Sequence, residues 1–405
     1  MSKLPLIENN TNHLSDCPST FPDATNDKKE VGQYLTQLLS NNLSQRIYVD
    51  IEPALSDKWL AVSSLHKSIR RGEVDLALRA TATLLRADPD YLFRRLPVIA
   101  YEDIAIANPV LCAQILFAAS KRVQTAFGIK QLAYSLVEQM SLSVKSRTTT
   151  DIFCLLLSDP YANDYIDSCL TMPPAKWVEI AQDKELCLTH RMAAIKLISG
   201  HSVSKNQRHY VEITKPNRDA LLRLVVEMKI NAIEHHLIIS GQSKTLSLNG
   251  SLILAGEMLS NSQTCSVIKH DLTNSNDHGV IYAAYDQYCR QGRKVIAKFV
   301  ATSKPLQLFF QKNPIKHPAK LIGVLLFIIE GCVADKQLNF DGMLKLQKQV
   351  EQMELIQAGI KTSEMIRQLL DVLNSELPYL HSLRQEDNLG RFKFVYTDIN
   401  QLSFE

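Results

Sequence analysis

Chain breakers are scarce here. The 405 residues include only 14 glycines and 15 prolines, while apolar side chains recur at three- and four-residue spacing along most of the length. A backbone so rarely interrupted does not suit the many tight turns of an all-β fold, nor a collagen-like or linker-dominated chain. The pattern predicts an all-α protein of stacked helical hairpins with at most a few short strands. At roughly 150 residues per domain the length suits two or three domains. No unit repeats along the chain, so a regular solenoid is not expected.

Start and stop signals divide the chain further. Residues 1–30 are rich in Asn, Asp, Ser, Thr and Pro and read as a disordered or loosely attached tail. A short amphipathic helix is expected over Glu30–Leu43, and the alternation of Arg46–Glu52 suits a short strand. Asp57 is placed to cap a helix running through Arg71, in which Trp59, Leu60, Val62, Leu65 and Ile69 fall at helical spacing and which Gly72 ends. Asp88-Pro89 and Asn108-Pro109 each start another helix, with proline at its first position. The polar, basic stretch Ser202–Pro216 separates one helical domain, 31–203, from a second, 216–386. In the second, helices are expected over Asn217–Ile239, His278–Val300, Leu306–Gln311, His317–Val333, Asp341–Ala358 and Thr362–Leu377, with a loop over Ser260–Asp277. A C-terminal extension, 387–405, holds Gly390–Asp398, which alternates like a strand that could pair with 46–52.

Chemistry is conspicuous mainly by what is missing. The formal charge is +3, too balanced for a wholly basic nucleic-acid coat but compatible with local patches. None of the eight cysteines forms a C-x-x-C pair or a zinc-finger spacing, which suits reduced thiols in a cytoplasmic protein. Met1–Asn26 lacks an apolar run of signal-peptide length. The longest apolar run, Leu321–Ile329, is far short of the ~20 residues that span a bilayer, so a buried helix and no membrane contact are expected. There is no Walker A motif, since Gly241–Thr245 lacks the leading glycine, and no G-x-G-x-x-G, H-E-x-x-H or G-x-S-x-G. Neither an enzyme nor a cofactor or metal is expected. The neighbours Glu102-Asp103 and His235-His236 diverge by about 100° on a helix, which suits structural roles better than joint catalysis or metal binding.

Basic clusters are the positive signal. Lys67, Arg70 and Arg71 lie at one helix end, followed by Arg79, Arg86, Arg94 and Arg95. Arg290, Arg293, Lys294 and Lys298 lie beside Tyr285 and Tyr288, and Lys312, Lys316, His317 and Lys320 extend that group. The candidates for nucleic-acid or partner binding are Lys67, Arg70, Arg71, Arg290, Arg293, Lys294 and Lys298. A merely solvated face is the plain alternative.

One segment carries a resemblance. Ser63–Arg71 reads S-S-L-H-K-S-I-R-R and is followed by D-L-A-L at Asp75–Leu78. Asp88-Pro89, F-R-R-L at Phe93–Leu96, A-Y-E-D-I at Ala100–Ile104 and Ala107-Asn108-Pro109 complete the series. In order and spacing, residues 58–125 resemble the C-terminal collar domain of the RarA or MgsA recombination ATPases, AAA+ relatives of clamp loaders linked to stalled forks and single-stranded DNA. In that family an ATPase module precedes the collar; only some 57 residues precede the block in this sequence, with no Walker motif, so ATP hydrolysis is not expected. Arg79-Ala80 stands where the family has Tyr-Trp, and Ala105 stands where it has glycine. The collar is an all-helical oligomerisation platform. The resemblance therefore implies a collar-like core and gives His66, Arg94, Arg95, Glu102 and Asp103 interface or structural roles, with Arg94 or Arg95 pairing with Glu102 or Asp103.

The reading that follows is a non-catalytic DNA-associated or assembly factor in replication, recombination or repair. Its expected partners are single-stranded or forked DNA, replication or recombination proteins, and further copies of itself. The rival is a protein-interaction adaptor of mobile-element or phage type that binds a host replication or defence protein and no nucleic acid. A third reading, an enzyme centred on Tyr285, Asp286 and Arg290, requires a concave pocket with convergent polar groups.

Overall fold

In a computed structural model, residues 27–203, 211–213, 217–228, 232–245, 248–272 and 276–401 are described. Helices dominate them. The first half holds α1 (Asp27–Gln45), α2 (Lys58–Arg70), α3 (Val74–Ala87), α4 (Pro89–Asp103), α5 (Pro109–Ala118), α6 (Lys121–Phe127), α7 (Ile129–Leu142), α8 (Thr148–Ser158), α9 (Ala162–Leu170), α10 (Pro174–Gln182) and α11 (Leu188–Ile198). After the short pair β1 (His201–Val203) and β2 (Val211–Ile213) come α12 (Arg218–Glu227), α13 (Ala232–Thr245) and α14 (Leu248–Ser260). Strands β3 (Cys265–Lys269), β4 (Asn276–Asp277) and β5 (Val280–Ile281) precede α15 (Arg290–Thr302), α16 (Lys304–Lys312) and α17 (Pro318–Leu326). A π-turn, Phe327–Gly331, leads to β6 (Lys336–Phe340), α18 (Met343–Gln357) and α19 (Ser363–Gln401). The fold is all-α, with three antiparallel pairs of short strands: β1 with β2, β4 with β5, and β3 with β6.

Local signals place the early helices. The Asp57 carboxylate accepts from the backbone N–H groups of Trp59 and Leu60, starting α2. Asp88 accepts from Tyr91 N–H and Asn108 from Leu111 N–H, each just before a proline that gives up no hydrogen bond. Gly72 takes φ +72°, which ends α2 and turns the chain into α3. Helices α2 and α3, α10 and α11, and α13 and α14 pack as consecutive pairs.

Several expectations need correction. Residues 46–52 form no strand. The Gln131 side chain satisfies both Tyr48 N–H (2.9 Å) and Tyr48 C=O (2.7 Å), taking the place of a partner strand on that edge. Gly390–Asp398 lies within α19, not in a strand. Helix α15 begins at Arg290 and not His278, because His278 (φ +49°) and Gly279 (φ +82°) turn the β4–β5 hairpin. The expected loop over Ser260–Asp277 contains β3. Asn217–Ile239 spans parts of two helices, α12 and α13. The expected N-terminal tail lies outside the described residues up to position 26, and α1 already begins at Asp27. Gly241–Thr245 is helical, within α13.

Two hydrophobic cores hold the chain together. The larger runs from Val31 to Ala255 and takes in Leu338, Phe340, Met343, Leu346 and Val350 from β6 and α18. The second gathers residues from Val280 to Leu383 with Ala54, Leu60 and Leu76 from the first part of the chain. The cores therefore do not divide at 203–216: α12–α14 join the larger one. Helix α2 serves both, sending Leu60 into the second core and Ala61, Leu65 and Ile69 into the first.

Candidate functional site: a charged cavity between the cores

Because α2 is buried along most of its length after Trp59, its polar residues have to find partners inside the protein. Ser63, Ser64, His66, Lys67, Ser68 and Arg70 are all buried. Ser63 Oγ donates to Ala284 C=O at 2.8 Å. The Lys67 ammonium pairs with the Asp286 carboxylate, which also accepts from the N–H groups of Tyr288 and Cys289.

Asp103, fully buried, is the hub. Arg70 donates to it through Nε at 2.7 Å and Nη2 at 3.2 Å, a bidentate pair. His66 Nε2 lies 2.8 Å from Asp103 and 3.1 Å from Glu102, and Arg147 Nη1 lies 3.2 Å from Asp103. Burial alone would raise the Asp103 carboxyl, but Arg70, His66 and Arg147 outweigh it and hold the group well below the usual carboxylate range. Burial pulls the His66 imidazole down, against the attraction of Asp103 and Glu102. His66 Nε2 also lies 2.9 Å from Arg70 Nη2.

The same arginines anchor the π-turn. Arg70 Nη1 donates to Gly331 C=O, and Arg71 Nη1 donates to Glu330 C=O at 2.7 Å. The Phe327 ring of that turn receives three cations over its face: Lys67 at 6.0 Å, Arg70 at 5.8 Å and Arg147 at 5.6 Å. Tyr288 meets Phe327 edge-on with ring centroids 4.9 Å apart.

These groups face a cavity of about 920 Å³ between the cores. Helix α2 contributes His66, Lys67 and Arg70, α4 contributes Arg95 and Glu102, and the turn into α15 contributes Tyr288, Arg290 and Arg293. Across from them, Asp151 and Cys154 of α8 and Glu351 and Glu354 of α18 complete the wall. Burial drives the Asp151 carboxyl up to about 7, with Arg147 opposing and Glu351 and Glu354 reinforcing the rise. Burial also raises Glu354, pushes the Cys154 thiol up to about 12 and pushes Cys332 up to about 11. Such thiols stay protonated at neutral pH and are poor nucleophiles.

Seven of the binding and interface candidates named from the sequence line this cavity: His66, Lys67, Arg70, Arg95, Glu102, Arg290 and Arg293. The expected open cationic surface at Lys67, Arg70 and Arg71 is not found. All three are buried, Lys67 and Arg70 are neutralised by Asp286 and Asp103, and Arg71 is held by the Glu330 carbonyl. Arg95 approaches Glu102 at 3.7 Å, whereas Arg94 is exposed and sits over the Tyr91 ring at 5.6 Å. Asp103 takes Arg70, not Arg94 or Arg95. Arg290, Arg293, Lys294 and Lys298 are exposed on α15, and Lys298 reaches Glu386 at 2.8 Å. Lys312, Lys316, His317 and Lys320 are exposed as well. Of the residues proposed for an enzyme, Tyr285 and Asp286 are buried and only Arg290 lines the cavity.

Sequence reading passed over Arg147, Asp151, Phe327, Glu351 and Glu354. The one local signal was Arg147 with Asp151 four residues later, which puts both on one helical face. Among the described residues no His, Cys, Asp and Glu group has the makings of a metal site, and no helix is long and apolar enough to cross a membrane. No protein-family model, curated protein or solved structure matches the chain.

Proposed function

We propose that the protein is a non-catalytic factor of DNA replication, recombination or repair that holds single-stranded or forked DNA through the phosphate backbone. The observation that carries this reading is the open basic face of α15. Arg290, Arg293, Lys294 and Lys298 are exposed on a helix with no acidic residue. Three of them stand near its N-terminus, where the helix dipole disfavours a cation and favours an anion. A phosphate lying there relieves the mutual repulsion of these cations and meets the dipole with the right sign. The collar-like block of residues 58–125 supports the same reading and adds self-assembly.

Fluorescence anisotropy with labelled single-stranded and forked DNA tests it. Binding is expected at about 50 mM salt, where phosphate contacts are strongest, together with its loss when the four side chains are replaced by alanine. An absence of binding at that salt contradicts it.

One observation favours the adaptor reading. Ile47 and Val49 are 82% and 77% exposed on the extended segment after α1, a place for a protein partner to cover. Co-purification of a stoichiometric protein, lost on Ile47→Ser with Val49→Ser, would support it over DNA binding.

A further inference from the structure

Asp151 is 6% exposed and faces the cavity, yet its carboxylate has no hydrogen-bond or ion-pair partner among the described residues. The nearby cation, Arg147, is committed to Asp103. Glu354 on the facing helix α18 also has no side-chain partner among the described residues, and Glu351 accepts only from Gln347, at 2.9 Å. Glu351 and Glu354 are half-buried, and all three carboxylates line the open volume of the cavity, where a ligand can reach them. The same cavity is lined by the exposed Arg290 and Arg293, the latter donating to the Gln287 (3.2 Å) and Tyr288 (3.4 Å) carbonyls, and by Arg95, which makes only the loose contact with Glu102. The Tyr288 and Phe327 rings line it too, 4.9 Å apart and nearly perpendicular, with Tyr288 largely open.

A ligand that fits this set of groups carries hydrogen-bond donors for the carboxylates, a planar ring for the aromatic pair and an anion for the arginines. We propose that the cavity binds a guanine mononucleotide, its base donating to Asp151 and Glu354 beside the Tyr288 and Phe327 rings and its phosphate held by Arg290 and Arg293. Guanine offers two adjacent N–H donors on its Watson–Crick edge, which match the two oxygens of one carboxylate. The volume lies within the usual range of a small-molecule site. The raised Asp151 carboxyl supports the assignment, because a ligand that donates two hydrogen bonds draws it into the ionised form and releases a proton near neutral pH. The carboxyl side of the site plays no part in holding a strand by its phosphates, so Asp151→Asn separates the two readings.

Titration calorimetry on the full chain with GMP, guanosine, AMP and inorganic phosphate tests the proposal. GMP should bind, with each of the other three weaker by at least about tenfold. Asp151→Asn should weaken GMP and guanosine together by about that factor, whereas Arg293→Ala should weaken GMP and leave guanosine alone. Glu354→Gln is the second variant, and a circular dichroism melt of each shows that it folds. The proposal is overturned if GMP gives neither heat nor a thermal shift, or if its binding is unchanged in both Asp151→Asn and Glu354→Gln. It is also overturned if only a 5′-phosphorylated oligonucleotide binds and the free nucleotide does not. Weakened DNA binding by Asp151→Asn would show instead that the carboxyl side belongs to the strand site.

Discussion

Asp103 and Asp151 show how two buried carboxyls of one cavity are driven apart. Asp103 meets Arg70, His66 and Arg147, and its charge is secured. Replacing it by asparagine strands the Arg70 and Arg147 guanidiniums in a buried place, and a loss of about 3–5 kcal/mol in urea unfolding is expected. Arg70→Ala should cost a similar amount, since it frees Asp103 and the Gly331 carbonyl together. Asp151 is the reverse case, burial having raised it to about 7 with Arg147, Arg70, Glu351 and Glu354 around it. A carboxyl raised in the folded state stabilises below its unfolded value, near 3.9, and that contribution is lost as pH rises through about 7. Asp151→Asn should therefore match the natural protein near pH 3.5 and exceed it in stability above pH 7, by up to about 4 kcal/mol. Chemical denaturation across that pH range checks the sign. None of this was legible locally: Arg70 lies 33 positions from Asp103 and 261 from Gly331, and no spacing rule reaches that far.

At the scale of elements, legibility followed the caps. Asp57, Asp88 and Asn108 each start the helix that their sequence announces, because a short polar side chain before a proline or an apolar face has a purely local task. Asn108→Ala removes one such bond and should cost about 1 kcal/mol in thermal unfolding. Helix α2 was found in the sequence but its surroundings were not. Ser63, His66, Lys67 and Arg70 look like a solvated stripe, and only the second core, built from residues more than 200 positions later, encloses them. The start of α15 was misplaced because the apolar run of the β4–β5 hairpin can pass for helix at this length. Its true start depends on Gly292, against which the Asp286 backbone packs so closely that a Cβ has no room. Gly292→Ala should push the first turn of α15 away from the cavity. Both the stability and the DNA affinity set by Arg290 and Arg293 should then fall.

At the scale of the whole molecule, the all-α class followed from composition and period, while the mutual exchange between the cores did not. Ala54, Leu60 and Leu76 complete the core of the later segment, and β6 and α18 complete the core of the earlier one. Neither half is closed without the other, so a single unfolding transition is expected, seen equally by far-UV circular dichroism and by Trp59 and Trp177 fluorescence. The exchange also sets the cavity where residues of both halves meet and leaves the outer face of α15 open. The number of exposed cations on α15, Lys298 exchanging Glu386 for phosphate, fixes how DNA binding should respond to salt. Four phosphate contacts from Arg290, Arg293, Lys294 and Lys298 predict that log K for single-stranded DNA falls with log salt at a slope of about −3. The same titration on the protein with all four replaced by alanine should show almost no binding to analyse. If the natural protein does not bind at about 50 mM salt, or binds with a slope that those replacements leave unchanged, then α15 is not where this protein meets DNA.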